Sequence, residues 1–343
     1  MTEDKKKKLD DIFKNMQKSL GKDRIFSGQE ALTHVEKIGR WKINSPSISW
    51  VLGGGVPKGR LIEAFGMESG GKTSLGIFLA SEVQRQGGVV AYIDAENAAD
   101  LEYAKTFGLN LDELIFKRPD SGEDALKTVQ LLVENGVDFV IVDSVAALVP
   151  QAEIDGEMED QQMGIQARLM GKGCRKISAA CANNNSTVFF INQTRESIGS
   201  YGNPIVTPGG KALKFWSSIR LDIRKAEFVV RGDETVGLKS KVKAVKNKTA
   251  PPMRQVEVEI TFGKGLQIEK EYIDFAVKFD VIKKSGSWYS IVDESGAEVE
   301  KVQGVDRVVD VLKKDPNLMD SIMNRVDKAL NFGMEVESED VEV

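Results

Sequence analysis

The stretch from Gly66 to Thr73, GMESGGKT, places a lysine and a hydroxyl residue directly after a glycine-rich turn. The pattern G-x-x-x-x-G-K-[S/T] is typical of a loop whose backbone N–H groups surround nucleotide phosphates. Lys72 would neutralise the phosphates, and the Thr73 hydroxyl would ligate Mg²⁺. The alternative is a chance glycine-rich turn, but a strand-like run precedes this stretch and a helix-like run follows it. The expected phosphate-contacting set is Gly66, Glu68, Ser69, Gly70, Gly71, Lys72, Thr73 and Ser74.

Two acidic residues follow apolar runs elsewhere in the chain. Glu96 ends the run VVAYIDAE (89–96), and Asp143 lies near the end of VDFVIVDS (137–144). Beside a phosphate-binding loop, Glu96 could activate an attacking water, and Asp143 could hold Mg²⁺ through water. An isolated acid after a strand is also commonly a helix N-cap, and this alternative stays open for Asp143.

The elements that would position these residues follow from the pattern of the chain. Short apolar runs rich in β-branched residues alternate with helical stretches of ten or more residues, as in a parallel sheet covered on both faces. Ligands of such sheets bind beyond the carboxyl ends of the strands, where Glu96 and Asp143 fall. A third run, TVFFINQ, ends in Asn192 and Gln193, an amide pair placed to sense a γ-phosphate. The expected fold class is α/β, a P-loop NTPase core with a mostly parallel sheet flanked by helices.

The second half of the chain predicts different elements. RLDIRK (220–225) and QVEVEITF (255–262) alternate apolar and polar residues, as half-exposed antiparallel strands do. Residues 269–330 are interpreted as a small, helix-rich α+β domain with Trp288 and Tyr289 in its core.

The N-terminal segment LDDIFKNMQKSL (9–20) has one apolar helical face. A helix this short is marginal alone and must pack on its own core or on a neighbouring subunit. The proposed division of the chain is an N-terminal helix and linker (1–33), a core (34–268), a C-terminal domain (269–330) and an acidic, disordered tail (331–343).

The charge of the chain is unevenly distributed. The formal net charge of the 343 residues is −5, and five acids follow Met334, so that without them the formal charge is zero. Residues 211–248 contain eleven Lys and Arg against four Asp and Glu. The pattern therefore indicates a basic surface with a detachable acidic tail rather than a uniformly acidic protein.

The rarer residues argue against several classes of protein. His34 is the only histidine, which argues against Ser-His-Asp catalysis, Cys-His catalysis and His-based zinc sites. Cys174 and Cys181, seven residues apart on an expected helix, are interpreted as reduced thiols. No apolar run approaches the roughly 18 residues of a membrane span, and no apolar segment follows the charged start. We expect a cytoplasmic protein with no membrane partner.

Six segments, taken in order, resemble the RecA family of bacterial and phage DNA recombinases over about residues 5–330. They are GMESGGKTSL, AYIDAENAADLEYAKTFGL, VIVDSVAALVPQAEIDGE, FFINQTRESIG, GGKALKFWSSIRLDIRK and KAVKNKTAPP. The resemblance implies a DNA-dependent ATPase that uses ATP and Mg²⁺ and polymerises as a helical filament on single-stranded DNA. It also implies pairing with homologous double-stranded DNA and strand exchange, in recombination, repair and the SOS response to DNA damage.

The resemblance also implies roles at matching positions. Glu96 would be the base that activates water, and Asp143 the acid linked to Mg²⁺. Asp100 and Tyr103 occupy the adenine-contacting positions, with Tyr103 stacking on the ring.

Three further matches connect subunits and DNA. Gln193 matches the residue that couples the γ-phosphate to the following DNA-binding loop. Lys246 and Lys248 match lysines that reach the ATP of a neighbouring subunit. The active site would therefore be composite, and hydrolysis would depend on filament assembly. The N-terminal helix would pack on the adjacent protomer.

Two loops would hold DNA, about residues 155–164 and 194–210. In the second loop, glycines let phosphates approach backbone N–H groups, Arg195 supplies charge, and Ile198 could wedge between bases. Taken alone, this loop would be interpreted as a flexible Gly/Pro connection, but its length and its position after Gln193 favour a DNA contact. The expected DNA contacts in and after the loops are Met163, Arg168, Arg175, Arg195, Ile198, Gly209 and Gly210. A secondary basic face for the incoming duplex would comprise Arg224, Lys225, Lys241 and Lys243, whose alternative interpretation is ordinary solvated strand charge.

The sequence departs from the family pattern in the second loop and the basic strands. Glu196 adds a negative charge beside Arg195, and Lys211, where Asn is usual, would offset it. Lys241 stands where the family commonly has an Arg associated with cleavage of a LexA-like repressor, the further partner that the resemblance suggests.

Three competing functions remain at this stage. A recombination mediator would use ATP only as a switch, and Glu96 and Asp143 argue against it. A hexameric ring helicase shares the strand-and-loop core and would form closed rings rather than filaments. A metabolic P-loop kinase explains neither the basic strands nor the second loop.

Overall fold

The computed structural model describes residues 3–21, 25, 27–28, 38–157, 164–196, 205–293 and 295–330, with only the backbone for residues 195–196 and 205–206. The expected tail, residues 331–343, lies outside this part. The chain divides into two compact units, Met1–Gly39 and Arg40–Val343, which are described separately.

The first unit contains one long helix, α1 (Glu3–Leu20), which includes the segment expected to be helical. None of its residues is buried. The exposed apolar residues of α1 are Leu9, Ile12, Met16 and Leu20, which recur at helical spacing along one side. Helix α1 therefore has one exposed apolar face.

The second unit contains the remaining elements. Its helices are α2 (Pro46–Leu52), α3 (Lys72–Arg85), α4 (Leu101–Lys105), α5 (Gly122–Glu134), α6 (Gln151–Ile154), α7 (Ile165–Asn184), α8 (Ala212–Trp216), α9 (Ile268–Lys278), α10 (Val305–Lys314) and α11 (Pro316–Leu330). Its strands in the first half are β1 (Arg40–Trp41), β2 (Val56–Pro57), β3 (Leu61–Gly66), β4 (Val90–Asp94), β5 (Leu114–Lys117), β6 (Phe139–Asp143), β7 (Thr187–Gln193) and β8 (Arg195–Glu196). The later strands are β9 (Ile205–Val206), β10 (Ile219–Arg231), β11 (Glu234–Asn247), β12 (Gln255–Thr261), β13 (Gly265–Leu266), β14 (Ile282–Ser285), β15 (Trp288–Val292) and β16 (Glu298–Gln303).

A nine-stranded sheet forms the centre of this unit, in the order β13-β12-β11-β10-β3-β7-β6-β4-β5. Neighbouring strands from β10 to β5 run parallel. From β10 to β13 the neighbours run antiparallel. The α/β fold class is confirmed, and so are the antiparallel strands expected within 220–225 and 255–262.

Alternate residues of the buried strands enter two cores, one on each face of the sheet. In β6, Phe139 and Ile141 join the core that contains α3, whereas Val140 and Val142 join the core that contains α5 and α7. Successive side chains of a strand point to opposite faces, so a strand covered on both sides must be apolar throughout. Each large apolar side chain buried in this way contributes about 1.5–3 kcal/mol. The strand ends that carry the polar residues are therefore fixed by packing from both faces.

The C-terminal part has its own core between the sheet β14–β15–β16 and helices α9, α10 and α11. Tyr289 belongs to this core, as expected. Trp288 does not, because it is 45% exposed, and the prediction for Trp288 was wrong. Adjacent residues of a strand face opposite sides, so the burial of Tyr289 turns Trp288 outward.

The two cysteines lie on α7 as free, buried thiols, in agreement with the expectation. Burial raises the pKa of both Cys174 and Cys181 to about 12, so both stay protonated near neutral pH. Within the described part of the chain, no helix is long and apolar enough to cross a membrane.

Candidate active site and DNA-binding surface

The phosphate-binding loop joins β3 to α3 and packs against β10 and β11. A Cβ atom on Gly66, the last residue of β3, would lie 2.0 Å from the carbonyl oxygen of Ile223. Gly71 has a φ of +92°, and a Cβ there would lie 2.6 Å from Ser240 Oγ. That hydroxyl donates a hydrogen bond of 2.7 Å to the carbonyl oxygen of Gly70. Only glycine fits both positions, and the loop ends at the N-terminus of α3, where free N–H groups favour phosphate.

Lys72 is the first residue of α3 and is 7% exposed. Its Nζ donates a hydrogen bond of 2.7 Å to the carbonyl oxygen of Met67, which turns the ammonium into the loop. Burial lowers the pKa of Lys72, while the carboxylates of Asp143, Glu96 and Glu68 act in the opposite direction. The position suits a cation that meets a phosphate between the loop and the acids.

Asp143, at the end of β6, is 8% exposed and accepts two hydrogen bonds on Oδ2. Thr73 Oγ1 donates one at 2.9 Å, and the Tyr92 hydroxyl donates the other at 2.8 Å. Burial raises the pKa of Asp143, the two hydrogen bonds counteract this, and the charges of Glu96 and Asp94 raise it further. The carboxylate is therefore tied to the loop on one side and to β4 on the other.

The N-cap interpretation of Asp143 is wrong, because Ser144 occupies the N-cap position of the 3₁₀ turn Val145–Ala147. The Thr73 hydroxyl and the Asp143 carboxylate are the hard oxygen donors that Mg²⁺ prefers. They lie within one hydrogen bond of each other at the N-terminus of α3. These residues fit the expected Mg²⁺ site, in which Thr73 would be a direct ligand and Asp143 would act through water.

Glu96 lies two residues beyond the end of β4 and is joined to Gln193 at the end of β7. Gln193 Nε2 donates a hydrogen bond of 3.0 Å to Glu96 Oε1, and Ser144 Oγ donates to the same oxygen. The backbone N–H groups of Ala95 and Glu96 both donate to the carbonyl oxygen of Asp143, at 2.7 and 3.2 Å. The ends of three neighbouring strands, β4, β6 and β7, thus bring together the carboxylates of Glu96 and Asp143 and the amide of Gln193.

The residues expected to contact adenine border the same site. Asp100 is the N-cap of α4 and accepts a hydrogen bond of 2.9 Å from the backbone N–H of Tyr103. The Tyr103 hydroxyl and Ser74 Oγ share a hydrogen bond of 2.8 Å, which links α4 to α3. Burial raises the pKa of Tyr103. A cleft of about 160 Å³ is lined by Thr73, Ile77, Tyr92, Asp94, Glu96, Ala98, Ala99, Asp100, Leu101, Tyr103, Ala104 and Asp143.

Sequence reasoning missed two polar residues of β4, Tyr92 and Asp94. Asp94 accepts hydrogen bonds from the backbone N–H groups of Ala98 and Ala99, at 3.2 and 3.3 Å. Its Oδ2 also lies 3.3 Å from Arg118 Nε. Asp94 thereby fixes the loop between Glu96 and α4. The available signal was the presence of two polar residues inside an otherwise apolar strand.

Lys246 and Lys248 are not brought to the phosphate-binding loop of their own chain. Lys246 Nζ donates to the carbonyl oxygens of Lys214 and Phe215 in α8, at 2.7 and 3.1 Å. It lies six residues beyond Ser240 along β11, a separation of about 20 Å at the usual strand rise.

Asn247, between these two lysines, holds the turn that follows β11. Its Nδ2 donates to the carbonyl oxygens of Val51 and Leu52, both at 3.3 Å. Its Oδ1 accepts from the N–H groups of Thr249 and Ala250, at 2.8 and 3.0 Å. The backbone that carries the two lysines is therefore anchored to the end of α2.

The second expected DNA loop is anchored where it leaves and rejoins the core. Asn192 Nδ2 donates to the carbonyl oxygen of Pro208 (3.2 Å), and the Gly209 N–H donates to Gln166 Oε1 (3.2 Å). Arg195 and Glu196 form strand β8, which pairs with β9 in an antiparallel ribbon. Gly209 and Gly210 have left-handed backbones, with φ of +80° and +70°. Two expected contacts, Met163 and Ile198, lie outside the described residues, and so does the Arg195 side chain; Arg168 and Arg175 lie on α7.

The basic strand residues divide between the two faces of the sheet. Arg224 pairs with Lys241 and Asp222 with Lys243 across β10 and β11, so all four share one face. Arg224 is held by Asp222, with Nη2 2.7 Å from Oδ2. Lys225 points to the other face, where its Nζ lies 4.0 Å from the centroid of the Phe228 ring. The expected basic face therefore contains three of the four residues assigned to it.

Comparison with known proteins covers nearly the whole chain. The model of the RecA N-terminal domain matches residues 7–267, and that of the RecA C-terminal domain matches residues 270–331. Protein RecA of Macrococcus caseolyticus is 45% identical over 337 residues, which is 97% of this chain and 94% of that protein. Protein RecA of Staphylococcus carnosus is 44% identical over 345 residues, 99% of this chain and 95% of that protein. Protein RecA of Staphylococcus aureus is 45% identical over 335 residues, which is 97% of this chain and 94% of that protein. The chain therefore belongs to the RecA family.

Proposed function

We propose that this chain is an ATP-dependent recombinase that binds single-stranded DNA, forms helical filaments, and pairs and exchanges homologous strands. Membership of the RecA family supports a role in DNA recombination and repair. The observation that carries the proposal is the position of Glu96. Its carboxylate contacts Ser144, next to the metal-linked Asp143, and also Gln193, which directly precedes the second loop.

ATP hydrolysis at this site is a matter of positioning and electrostatics. The loop N–H groups and Lys72 hold and neutralise the phosphates, and Glu96 accepts a proton from the attacking water. Mg²⁺, when bound through Thr73 and Asp143, supplies positive charge to the phosphate oxygens. Gln193 joins the water-activating acid to the loop that would contact DNA.

The site is completed by a second subunit. Lys246 and Lys248 lie far from their own phosphate-binding loop and would serve the ATP of the adjacent protomer. Self-association is supported by the uncovered apolar face of α1 and by two exposed aromatic residues of α8, Phe215 at 65% and Trp216 at 38% exposure. Apolar surface of this kind is typical of contacts between proteins.

DNA binding is supported by two features around the site. The second loop begins directly after Gln193 and ends at the anchored Gly209, so a strand bound there would lie next to the nucleotide. Arg224, Lys241 and Lys243 form a basic face on β10 and β11 for the incoming duplex.

The proposal is tested by measuring ATP hydrolysis with and without single-stranded DNA for the unaltered chain and for Glu96→Ala. We expect strong stimulation by DNA, and a loss of about 100-fold or more in Glu96→Ala, because a general base is removed. Nucleotide affinity should be kept in this variant, since Lys72 and the loop are unchanged.

The control is Glu134→Ala, an exposed carboxylate on α5 whose hydrogen bond comes from Gln130. This variant should hydrolyse ATP at the rate of the unaltered chain, both with and without single-stranded DNA. Equal turnover with and without DNA would contradict the proposed coupling and leave a P-loop ATPase of unknown partner.

A further inference from the structure

Tyr92 is a buried polar residue in the middle of β4. It is 2% exposed, and its ring stacks on Phe116 with 5.9 Å between the centroids. The hydroxyl donates a hydrogen bond of 2.8 Å to Asp143 Oδ2, across from the neighbouring strand β6. A phenylalanine would fill the same apolar space, so the hydroxyl is the feature that packing does not explain.

The Tyr92 hydroxyl and Thr73 Oγ1 converge on one oxygen atom. Thr73 Oγ1 donates to Asp143 Oδ2 from the loop side, at 2.9 Å. The proton of Thr73 is directed at the carboxylate, so the lone pairs of its oxygen point elsewhere, as a metal ligand requires. The orientation of the Thr73 hydroxyl therefore depends on the position of Asp143 Oδ2.

Among the residues that the structure describes, Tyr92 is the one that holds this oxygen from the side of the sheet, since Thr73 approaches it from the loop side. Its aromatic ring is clamped by packing and has two side-chain torsions, so the hydroxyl is a fixed donor.

We propose that Tyr92 is a positioning residue for the Mg²⁺-nucleotide site, which it orients through Asp143 and thereby through Thr73. The inference rests on the proposed function, because it assigns Mg²⁺ to these two residues. In this role Tyr92 acts through its hydrogen bond to Asp143, so its effect falls on the contribution that Mg²⁺ makes to nucleotide binding.

The test is the affinity for ADP, measured by calorimetry with Mg²⁺ and again with EDTA, for the unaltered chain and Tyr92→Phe. Removing a group that orients a metal ligand typically costs 10–100-fold in metal-dependent affinity. We expect the gain in ADP affinity on adding Mg²⁺ to fall by about 10-fold in Tyr92→Phe. The affinity in EDTA should be unchanged, because the loop and Lys72 are intact.

The matched control is Tyr272→Phe, which removes another buried tyrosine hydroxyl paired with a carboxylate, that of Asp327 at 3.3 Å in the C-terminal part. This control should keep the full Mg²⁺-dependent gain. An equal gain in Tyr92→Phe and the unaltered chain overturns the inference, and so does a parallel loss with Mg²⁺ and with EDTA, which indicates a structural role only. Absence of ADP binding by the unaltered chain would instead overturn the proposed function, and the inference with it.

Discussion

The contact between Gln193 and Glu96 could couple DNA binding at the second loop to ATP hydrolysis. One amide hydrogen bond of 3.0 Å joins Gln193, which directly precedes the second loop, to Glu96, the acid that would activate water. Because a hydrogen bond is lost within a few tenths of an ångström of extension or a moderate rotation, a shift of the loop would change the environment of Glu96.

Gln193→Ala tests this link. We expect nucleotide affinity and the hydrolysis rate without DNA to stay near those of the unaltered chain, because the loop, Lys72 and Glu96 remain. Stimulation by single-stranded DNA should be largely lost. The measurement is the ratio of the rates with and without DNA, and a preserved ratio would show that DNA acts through another route.

Among single residues, those whose position follows from nearby sequence could be predicted. The phosphate-binding loop and Asp143 could be predicted because fixed spacing and a strand end suffice to place them. Tyr92 could not be assigned, since its partner is 51 residues away and a tyrosine in an apolar strand is equally a core residue. Trp288 was misplaced for the opposite reason, because its large apolar surface suggested burial while strand alternation turned it outward.

At the element scale, the turn after β11 connects strand geometry to the composite site. Asn247 accepts two backbone N–H groups and donates to two carbonyl oxygens at the end of α2. Arg40 adds a further anchor, with Nη2 2.8 Å from the carbonyl oxygen of Thr249. These contacts fix the backbone direction of the flanking Lys246 and Lys248.

Asn247→Ala should therefore misplace Lys246 and Lys248, which would serve the adjacent protomer, and leave the nucleotide site of its own subunit intact. We expect normal nucleotide binding, a much lower DNA-stimulated ATPase rate, and a loss of stability of about 1–3 kcal/mol from the unpaired carbonyl groups. The decisive measurement is a mixture of Asn247→Ala with Glu96→Ala. In such a mixture, some interfaces combine the nucleotide site of an Asn247→Ala subunit with Lys246 and Lys248 of a Glu96→Ala subunit. Both halves of these sites are intact, so hydrolysis should return. Failure of the mixture to exceed both variants alone would show that the defect is not confined to the two lysines.

The order of the elements was less accessible from the sequence than their type. The alternation of buried runs predicted parallel strands because each run must be apolar on both faces. The antiparallel strands at 220–225 and 255–262 were predicted from alternation, but their attachment to the parallel strands depends on the long-range pairing of β10 with β3, such as Leu221 with Ala64, which no local pattern encodes.

At the scale of the whole molecule, a buried carboxyl connects the C-terminal part to the core. Glu271 on α9 accepts a hydrogen bond of 2.5 Å from Ser45 Oγ, at the N-cap of α2, and another from the Ser47 N–H at 3.3 Å. Its second oxygen is buried and has no hydrogen-bond partner among the described residues. Burial raises the pKa of Glu271 from 4.5 to about 7.

A raised carboxyl pKa makes the folded state bind the proton more tightly than the unfolded state does. Stability is therefore lost as pH rises from about 4.5 to 7 and does not return above that range. The loss from Glu271 amounts to roughly 3 kcal/mol. We expect Glu271→Gln to match the unaltered chain near pH 5 and to exceed it in stability near pH 8. Denaturant unfolding across this range measures the difference, and parallel pH profiles of the two chains would contradict it.

The five acidic residues after Met334 are expected to weaken DNA binding to the basic strands. They would compete with DNA phosphates for Arg224, Lys241 and Lys243, an effect screened beyond about 10 Å at moderate salt. Removing residues 335–343 should raise the affinity for DNA severalfold at low salt and have little effect at high salt. Fluorescence anisotropy with labelled DNA over a salt series measures this, and an unchanged salt dependence would contradict it.

Recombinase activity of this chain is measured by DNA strand exchange with the purified protein. Filaments assembled on labelled single-stranded DNA with ATP and Mg²⁺ are mixed with a homologous duplex, or with an unrelated duplex of equal length and composition. Labelled heteroduplex should form with the homologous duplex alone, and Lys72→Ala should form none. Equal product from both duplexes, or no product while DNA-stimulated hydrolysis persists, would show that the chain is not a recombinase.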